Sequence, residues 1–161
     1  MPTAIVVLLL FAGLSEAVGR LLPVVARRSG VSRLRTVGLL LFGAVVDGAV
    51  FAIWPVSAWV IAVALPGSPS GEVVTWTPAL AAPLLLAAVL AFPLLGPLLH
   101  LLLLAGVGAG LAADLATAVG LGRWVAGGCV AVAGVGLAVA VAAVRHLAAR
   151  FGTAGASASL T

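Results

Sequence analysis

The stretch GLSEAVGR, residues 13–20, places an acid and a base four residues apart inside the first apolar segment of the chain. Glu16 and Arg20 are flanked there by hydrocarbon side chains, and in an α-helix the two would lie on the same face. Charged groups in such surroundings are costly, so they are usually paired or functional. The predicted fold therefore has to place these two charges next to a partner or in a functional site.

The composition of the chain is that of a membrane protein. Hydrophobic residues make up 64% and charged residues only 7% of the 161 residues, whereas about a quarter of the residues in soluble proteins are charged. The net charge of +4 comes entirely from arginine. The arginines cluster at the ends of apolar segments, which favours the lipid bilayer and its anionic headgroups as partners and argues against nucleic acid.

The apolar segments predict an all-α, polytopic integral membrane helix bundle with five transmembrane helices. The predicted spans are residues 5–26, 36–65, 78–95, 98–119 and 123–144. The second segment exceeds the ~20 residues that cross a bilayer, so its span is predicted to end near Trp54 or to tilt. A turn at residues 92–97, which contains Pro93 and Pro97, is predicted to divide the third span from the fourth.

The arginines orient this bundle, because positively charged residues are enriched in cytoplasmic loops. With the N-terminus outside and the C-terminus inside, the cytoplasmic arginines, expected at lipid headgroups, are Arg27, Arg28, Arg33, Arg35, Arg145 and Arg150. The same orientation brings the tryptophans to the outer interface: Trp54, Trp59, Trp76 and Trp124. A four-span alternative, with residues 78–119 as one bent element, would move Arg145 and Arg150 outside.

The chain is predicted to form a single transmembrane helical domain over residues 1–150, with a flexible tail over residues 151–161. Its richness in Ala, Gly, Val, Leu and Arg and its lack of Lys are typical of a GC-rich genome. We therefore expect a multi-pass protein of the cell membrane, in the inner or plasma membrane of a high-GC bacterium.

The topology gives Glu16 an acidic neighbour. Glu16 precedes the arginine-rich loop by about as many residues as Asp47 follows it, so the two acids should lie at similar depth. Together with Arg20 they form a predicted intramembrane charge cluster with one acid in excess. One interpretation is a structural ion pair that joins the first two helices. The other is that one carboxylate takes up and releases a proton during transport.

A second polar site is predicted from His100, Asp114 and Arg123. His100 and Asp114 share nearly the same helical face, and Arg123 follows a short glycine-containing turn. Asp114 is expected to face protein. It is expected either to form an ion pair with Arg123 or to act as a functional acid. His100 and His146 raise a remote third hypothesis, a haem or quinone anchor.

Small residues recur at four-residue spacing in the fourth and fifth spans. The pattern includes Gly106 and Gly110 in one span and Gly134 and Ala138 in the other. Small side chains at this spacing let two helices approach closely. We therefore interpret both sets as helix-packing faces, and the face of the fifth span as a contact for a partner.

The chain offers little catalytic chemistry, and no enzymatic activity, metal or cofactor is expected. The first hypothesis for its function is a non-catalytic subunit or accessory factor that packs against other membrane proteins or against further copies of itself. The alternative is a small secondary transporter or proton-coupled carrier that uses its intramembrane carboxylates.

Overall fold

The computed structural model describes residues 2–26, 33–68, 71–91 and 97–157, and within these ranges the only regular secondary structure is helical. The helices are α1 (Thr3–Ala26), α2 (Arg33–Val63), α3 (Pro78–Ala91), α4 (Pro97–Val119) and α5 (Arg123–Ser157). The all-helical class predicted from the sequence is therefore confirmed.

Three helices in the described part of the chain contain segments long and apolar enough to cross a membrane. These segments are Thr36–Val63, Leu101–Val119 and Arg123–Val144, while the apolar segments of α1 and α3, Thr3–Gly19 and Pro78–Val89, are shorter. Large apolar side chains lie on the outside of the bundle; Phe42, for example, is 70% exposed. Such a surface is unstable in water and stable against lipid, so the membrane class is supported by the fold as well as by composition.

Helix α2 continues through Pro55 to Val63. A proline inside a helix removes the donor for the carbonyl four residues earlier, which here belongs to Phe51. The indole Nε1 of Trp76 donates a hydrogen bond to that carbonyl oxygen at 2.8 Å. The segment before α3 thus supplies the donor that Pro55 lacks, and the helix continues without an unsatisfied carbonyl.

Helices α1 and α2 cross in backbone contact. A Cβ atom on Gly13 would collide with the backbone of Ala44 and Gly48, and one on Gly48 would lie 3.3 Å from the Leu9 carbonyl oxygen. Only glycine allows so close an approach at Gly13. The crossing lies within one turn of both Glu16 and Asp47, so it determines how near these two acids come.

Helices α3 and α4 are separate and pack as antiparallel neighbours. Leu80, in the first turn of α3, lies against Gly110 in the second half of α4, where an added Cβ would be 2.7 Å from the Leu80 Cδ2 atom. Residues 92–96, which carry most of the predicted turn, lie outside the described residues. Ser15 of α1 donates its hydroxyl to the Ala88 carbonyl at 2.9 Å, which satisfies one of the last four carbonyls of α3.

The hairpin between α4 and α5 is formed by a glycine cap. Gly120 adopts a φ of 71°, and the Leu121 N–H donates to the Ala116 carbonyl at 3.1 Å, the pattern of a Schellman cap. Helix α5 then begins at Arg123 and continues to Ser157. Residues 151–157 of the segment predicted as a flexible tail are thus part of this helix, and residues 158–161 lie outside the described residues.

Candidate functional site

A cavity of about 760 Å³, partly open to the surface of the bundle, lies between α2, α4 and α5 and includes one residue of α1 in its lining. Ligand sites for small molecules have volumes of about 300–1,000 Å³, so the space suits a drug-sized compound. Its walls are mostly apolar. The described lining residues are Glu16, Asp47, Val50, Phe51, Trp54, Leu101, Leu104, Ala105, Gly108, Ala109, Ala112, Gly127, Val130, Ala131, Gly134, Val135, Leu137, Ala138, Val141 and Ala142.

Glu16 and Asp47 both line this cavity and are both buried, with 8% and 5% of their surface exposed. Each is engaged by another group of the protein. The close crossing of α1 and α2 brings the two acids to one cavity. The side chain of Arg20, the third member of the predicted cluster, lies outside the described residues.

Trp54 bridges the cavity from α2 to α5. Its indole Nε1 donates to the Val130 carbonyl oxygen at 3.0 Å. The ring packs over Gly134, where an added Cβ would lie 3.1 Å from Nε1, and over Gly108, where it would lie 3.7 Å from the ring. The sequence placed Trp54 at headgroup level, whereas here its polar group is bonded to the protein backbone. Small residues on α4 and α5 provide the room for the ring.

The other tryptophans are divided between the interior and the surface. Trp76 is buried and bonded to Phe51, Trp59 is half-buried, and Trp124 is 94% exposed. Of these, Trp124 has the exposed ring that the predicted interfacial position requires.

The four predicted packing residues have three different surroundings. Gly134 lies under Trp54 and lines the cavity together with Ala138. Gly110 packs against Leu80, while a Cβ on Gly106 would meet nothing within 4 Å. The small residues of α5 thus leave space between the helices, and the Trp54 ring packs against one of them, Gly134.

The predicted second polar site is not assembled around the cavity. Asp114 and Arg123 are both exposed, although we expected Asp114 to face protein. Asp114 is exposed near the C-terminal end of α4, although the next residue, Leu115, is buried. The side chain of His100 lies outside the described residues, and His146 is exposed.

The predicted headgroup arginines fall largely in parts of the chain that are not described. Arg33 is exposed at the start of α2. The structure does not describe the side chains of the other five predicted headgroup arginines, which are Arg27, Arg28, Arg35, Arg145 and Arg150.

Sequence reasoning missed the role of the α2 face that carries Asp47. Asp47, Phe51 and Trp54 line the cavity together, and their spacing of four and three residues places them on one side of a helix. It also missed the crossing glycines, although Gly13 with Ala17 and Ala44 with Gly48 are pairs of small residues at four-residue spacing. Both patterns were available in the sequence as signals.

Together these features describe an all-helical protein with membrane-capable helices and an apolar cavity that carries two buried acids. No protein-family model matches the chain, and no curated protein or solved structure matches it significantly.

Proposed function

We propose that this protein is a small secondary transporter, a proton-coupled carrier, in which Glu16 and Asp47 form the polar part of the ligand site. The observation that supports this is the position of both acids on the wall of a cavity of about 760 Å³. A pocket of this volume, apolar apart from its two acids, has the features of a small-molecule site. The cavity therefore favours a carrier over a subunit that acts by packing alone.

The two carboxylates supply the means of coupling. A carboxylate in a membrane domain can exist either charged or protonated, and the cost of a buried charge makes the two forms bind ligands differently. A ligand that binds one form better must shift the protonation equilibrium, and a proton must shift ligand binding by the same factor. Proton and ligand movements are coupled in this way without any further machinery.

For the membrane arrangement we propose five spans with the N-terminus outside and the C-terminus inside. Exposed Arg33 at the start of α2 follows Arg27 and Arg28 and supports a cytoplasmic position for this end of the helix.

Helix α3 has 14 residues, about 21 Å at 1.5 Å per residue. It is shorter than the ~30 Å core, so we expect the bilayer to thin around it or its ends to lie within protein. The proposed location is the cell membrane of a high-GC bacterium.

The carrier function is tested with purified protein in liposomes that are acidic inside. The liposomes are incubated with a mixture of organic cations, anions, zwitterions and neutral compounds, and the retained compounds are identified by mass spectrometry. We expect at least one compound to accumulate in a gradient-dependent manner. Accumulation should be lost in Glu16→Gln and Asp47→Asn and kept in Asp114→Asn, because Asp114 is exposed and does not line the cavity.

The proposal fails if no compound accumulates with either direction of the gradient. It also fails if Glu16→Gln and Asp47→Asn change only the thermal stability of the protein.

A non-catalytic membrane subunit is the second candidate, and one feature of α5 favours it. Gly128 and Gly136 lie on the exposed side of this helix, where an added Cβ would meet nothing within 4 Å. Val132 lies between them and is 61% exposed. An outward face of small residues suits close packing with a helix of another protein or another copy of this chain. Purification in mild detergent would then yield a stoichiometric partner, or an oligomer that Gly136→Leu disrupts.

A further inference from the structure

We propose that the cavity opens sideways into the bilayer and holds an acyl chain of a membrane phospholipid. This lipid site uses the same cavity as the carrier function but does not require that function. The chain contacts the apolar wall and needs no charge from Glu16 or Asp47, which are each engaged by another group of the protein. In a carrier, the carried compound would exchange with this chain.

The opening of the cavity lies between α4 and α5. The described lining residues of α1 and α2 are buried or half-buried, whereas several of those on α4 and α5 are exposed. The exposed residues form one row on each helix, with steps of three or four residues, and so lie on one face of it. The two rows are Leu101, Ala105 and Ala109 on α4 and Ala131, Val135, Ala138 and Ala142 on α5.

Both rows face lipid. All their residues are apolar, and they belong to the segments Leu101–Val119 and Arg123–Val144, which are long and apolar enough to cross a membrane. A water molecule in a cavity requires about two to four polar partners, and most of the described wall is hydrocarbon. The molecules that meet this opening are therefore the acyl chains of the bilayer.

The length of the opening matches one leaflet. The row from Ala131 to Ala142 is about 16 Å long at 1.5 Å per residue, and the row from Leu101 to Ala109 is about 12 Å long. Half of the hydrocarbon core is ~15 Å thick. Both rows lie mainly in the half of their segment that is away from the turn between α4 and α5. The chain therefore comes from the leaflet on that side, which is the cytoplasmic leaflet in the proposed orientation.

The width of the cavity excludes a whole helix of a partner or of a second copy as the occupant. A volume of about 760 Å³ spread over ~16 Å gives a mean cross-section of roughly 50 Å², whereas a helix with its side chains is about 10–12 Å across, or at least ~80 Å². An extended hydrocarbon chain is thinner than a helix. It also brings no polar group that an apolar wall would leave unsatisfied.

Shape holds the chain in this site. Lipid tails are as apolar as leucine, so a chain gains little hydrophobic free energy when it moves from the bilayer into the cavity. It gains van der Waals contacts with the wall, which includes the rings of Phe51 and Trp54. A side chain that fills the cavity should therefore release the lipid.

The test uses the full-length protein in nanodiscs of phosphatidylethanolamine and phosphatidylglycerol. The phosphatidylglycerol carries a diazirine near the methyl end of one acyl chain, and illumination links this chain to the residues that it touches. A second, unilluminated sample is transferred to mild detergent, where native mass spectrometry counts the phospholipids that stay bound. We expect one retained phospholipid for each protein, and labels concentrated on the two rows and on the wall between them.

Matched variants distinguish the cavity from the general lipid surface. Ala109→Phe should fill the cavity and reduce both the retained lipid and the labelling of the α5 row by about tenfold or more. Ala113→Phe is the control, because Ala113 is exposed one turn further along α4 and does not line the cavity; it should behave as the unchanged protein does. Helical circular dichroism and a single gel-filtration peak establish folding. If Ala109→Phe is not folded, Ala138→Phe fills the cavity from α5 and decides the result.

Two outcomes would overturn the inference. One is equal lipid retention by Ala109→Phe and Ala113→Phe. The other is equal labelling of the two rows and of Phe42, which is 70% exposed on α2, since the labelled lipid would then be any lipid around the protein. If either occurs while a compound accumulates in liposomes in a Glu16-dependent manner, the lipid site is wrong and the carrier function stands. If the lipid is retained in the cavity and no compound accumulates, the carrier function is wrong and the lipid site stands.

Discussion

At Phe51, a hydrogen bond from a distant indole replaces the one that the helix cannot make. Pro55 has no N–H for the Phe51 carbonyl, and Trp76 donates to it instead. A buried carbonyl without a donor costs about 1–3 kcal/mol. Trp76→Phe should therefore lower the free energy of unfolding by about this amount, plus the loss of packing around the smaller ring.

A double-mutant cycle isolates the contribution of this bond. In Pro55→Ala, the new N–H of residue 55 can serve the Phe51 carbonyl, so removing the Trp76 donor should cost less in that background. The measurement is unfolding of the four proteins in mixed micelles. Equal losses from Trp76→Phe with and without Pro55 would show that the indole does not compensate for the proline.

Trp54 depends on the absence of a side chain beneath it. At Gly134 an added Cβ would lie 3.1 Å from the Trp54 Nε1 atom, whereas at Gly108 it would lie 3.7 Å from the ring, an ordinary contact. Gly134→Ala should displace the indole from the Val130 carbonyl and shift the tryptophan emission of the protein. Gly108→Ala is the matched control and should leave the emission unchanged. If both substitutions have the same effect, the ring is not seated on Gly134.

At the scale of the helix, the crossing of α1 and α2 rests on Gly13. A methyl group there would force the backbones of the two helices apart, because the neighbouring atoms belong to the backbone of Ala44 and Gly48. Overpacking of this kind costs about 1–3 kcal/mol or more. We expect Gly13→Ala to destabilise the protein and also to weaken ligand binding, since Glu16 and Asp47 would be separated.

Gly38 provides the control for this prediction within α2. A Cβ at Gly38 would meet nothing within 4 Å, and alanine is favoured over glycine in a helix by about 0.5–1 kcal/mol. Gly38→Ala should therefore be neutral or slightly stabilising in the same unfolding assay. A similar loss of stability for Gly13→Ala and Gly38→Ala would contradict the close crossing.

Features of the helices that depend on residues close together in the sequence could be predicted, whereas features that depend on contacts between distant residues could not. The all-helical class follows from composition, and the division of residues 78–119 into α3 and α4 follows from proline chemistry. The continuation of α2 past Trp54 did not, because it depends on a donor from Trp76, 25 residues away from Phe51 along the chain.

The cavity was not predictable from the small-residue spacing alone. Four-residue spacing shows that Gly134 and Ala138 lie on one face of α5, but it does not show what faces them. Trp54 is held across from this face by its bond to Val130, and a cavity remains beside it. Small residues favour close packing only if the opposing helix also presents small residues, and here α2 presents an aromatic ring.

At the scale of the whole molecule, the five-span arrangement predicts that the loop before α3 and the C-terminus lie on opposite sides of the membrane. Single cysteines at Glu72 and at Thr161 test this, with buried Cys129 replaced by alanine. A membrane-impermeant maleimide should label the cysteine at position 72 in intact cells. The cysteine at position 161 should react only after permeabilisation. Labelling of both positions in intact cells would favour the four-span arrangement.

The central claim is that Glu16 and Asp47 couple the movement of a ligand to the movement of protons. It is tested most directly in the liposomes that are acidic inside, by following the internal pH while a retained compound accumulates. The expected result is that accumulation of the compound makes the internal pH rise, that the Glu16→Gln/Asp47→Asn variant neither accumulates the compound nor changes the internal pH, and that Asp114→Asn does both. Accumulation without any change in the internal pH, or an equal change with the double variant, would contradict the claim.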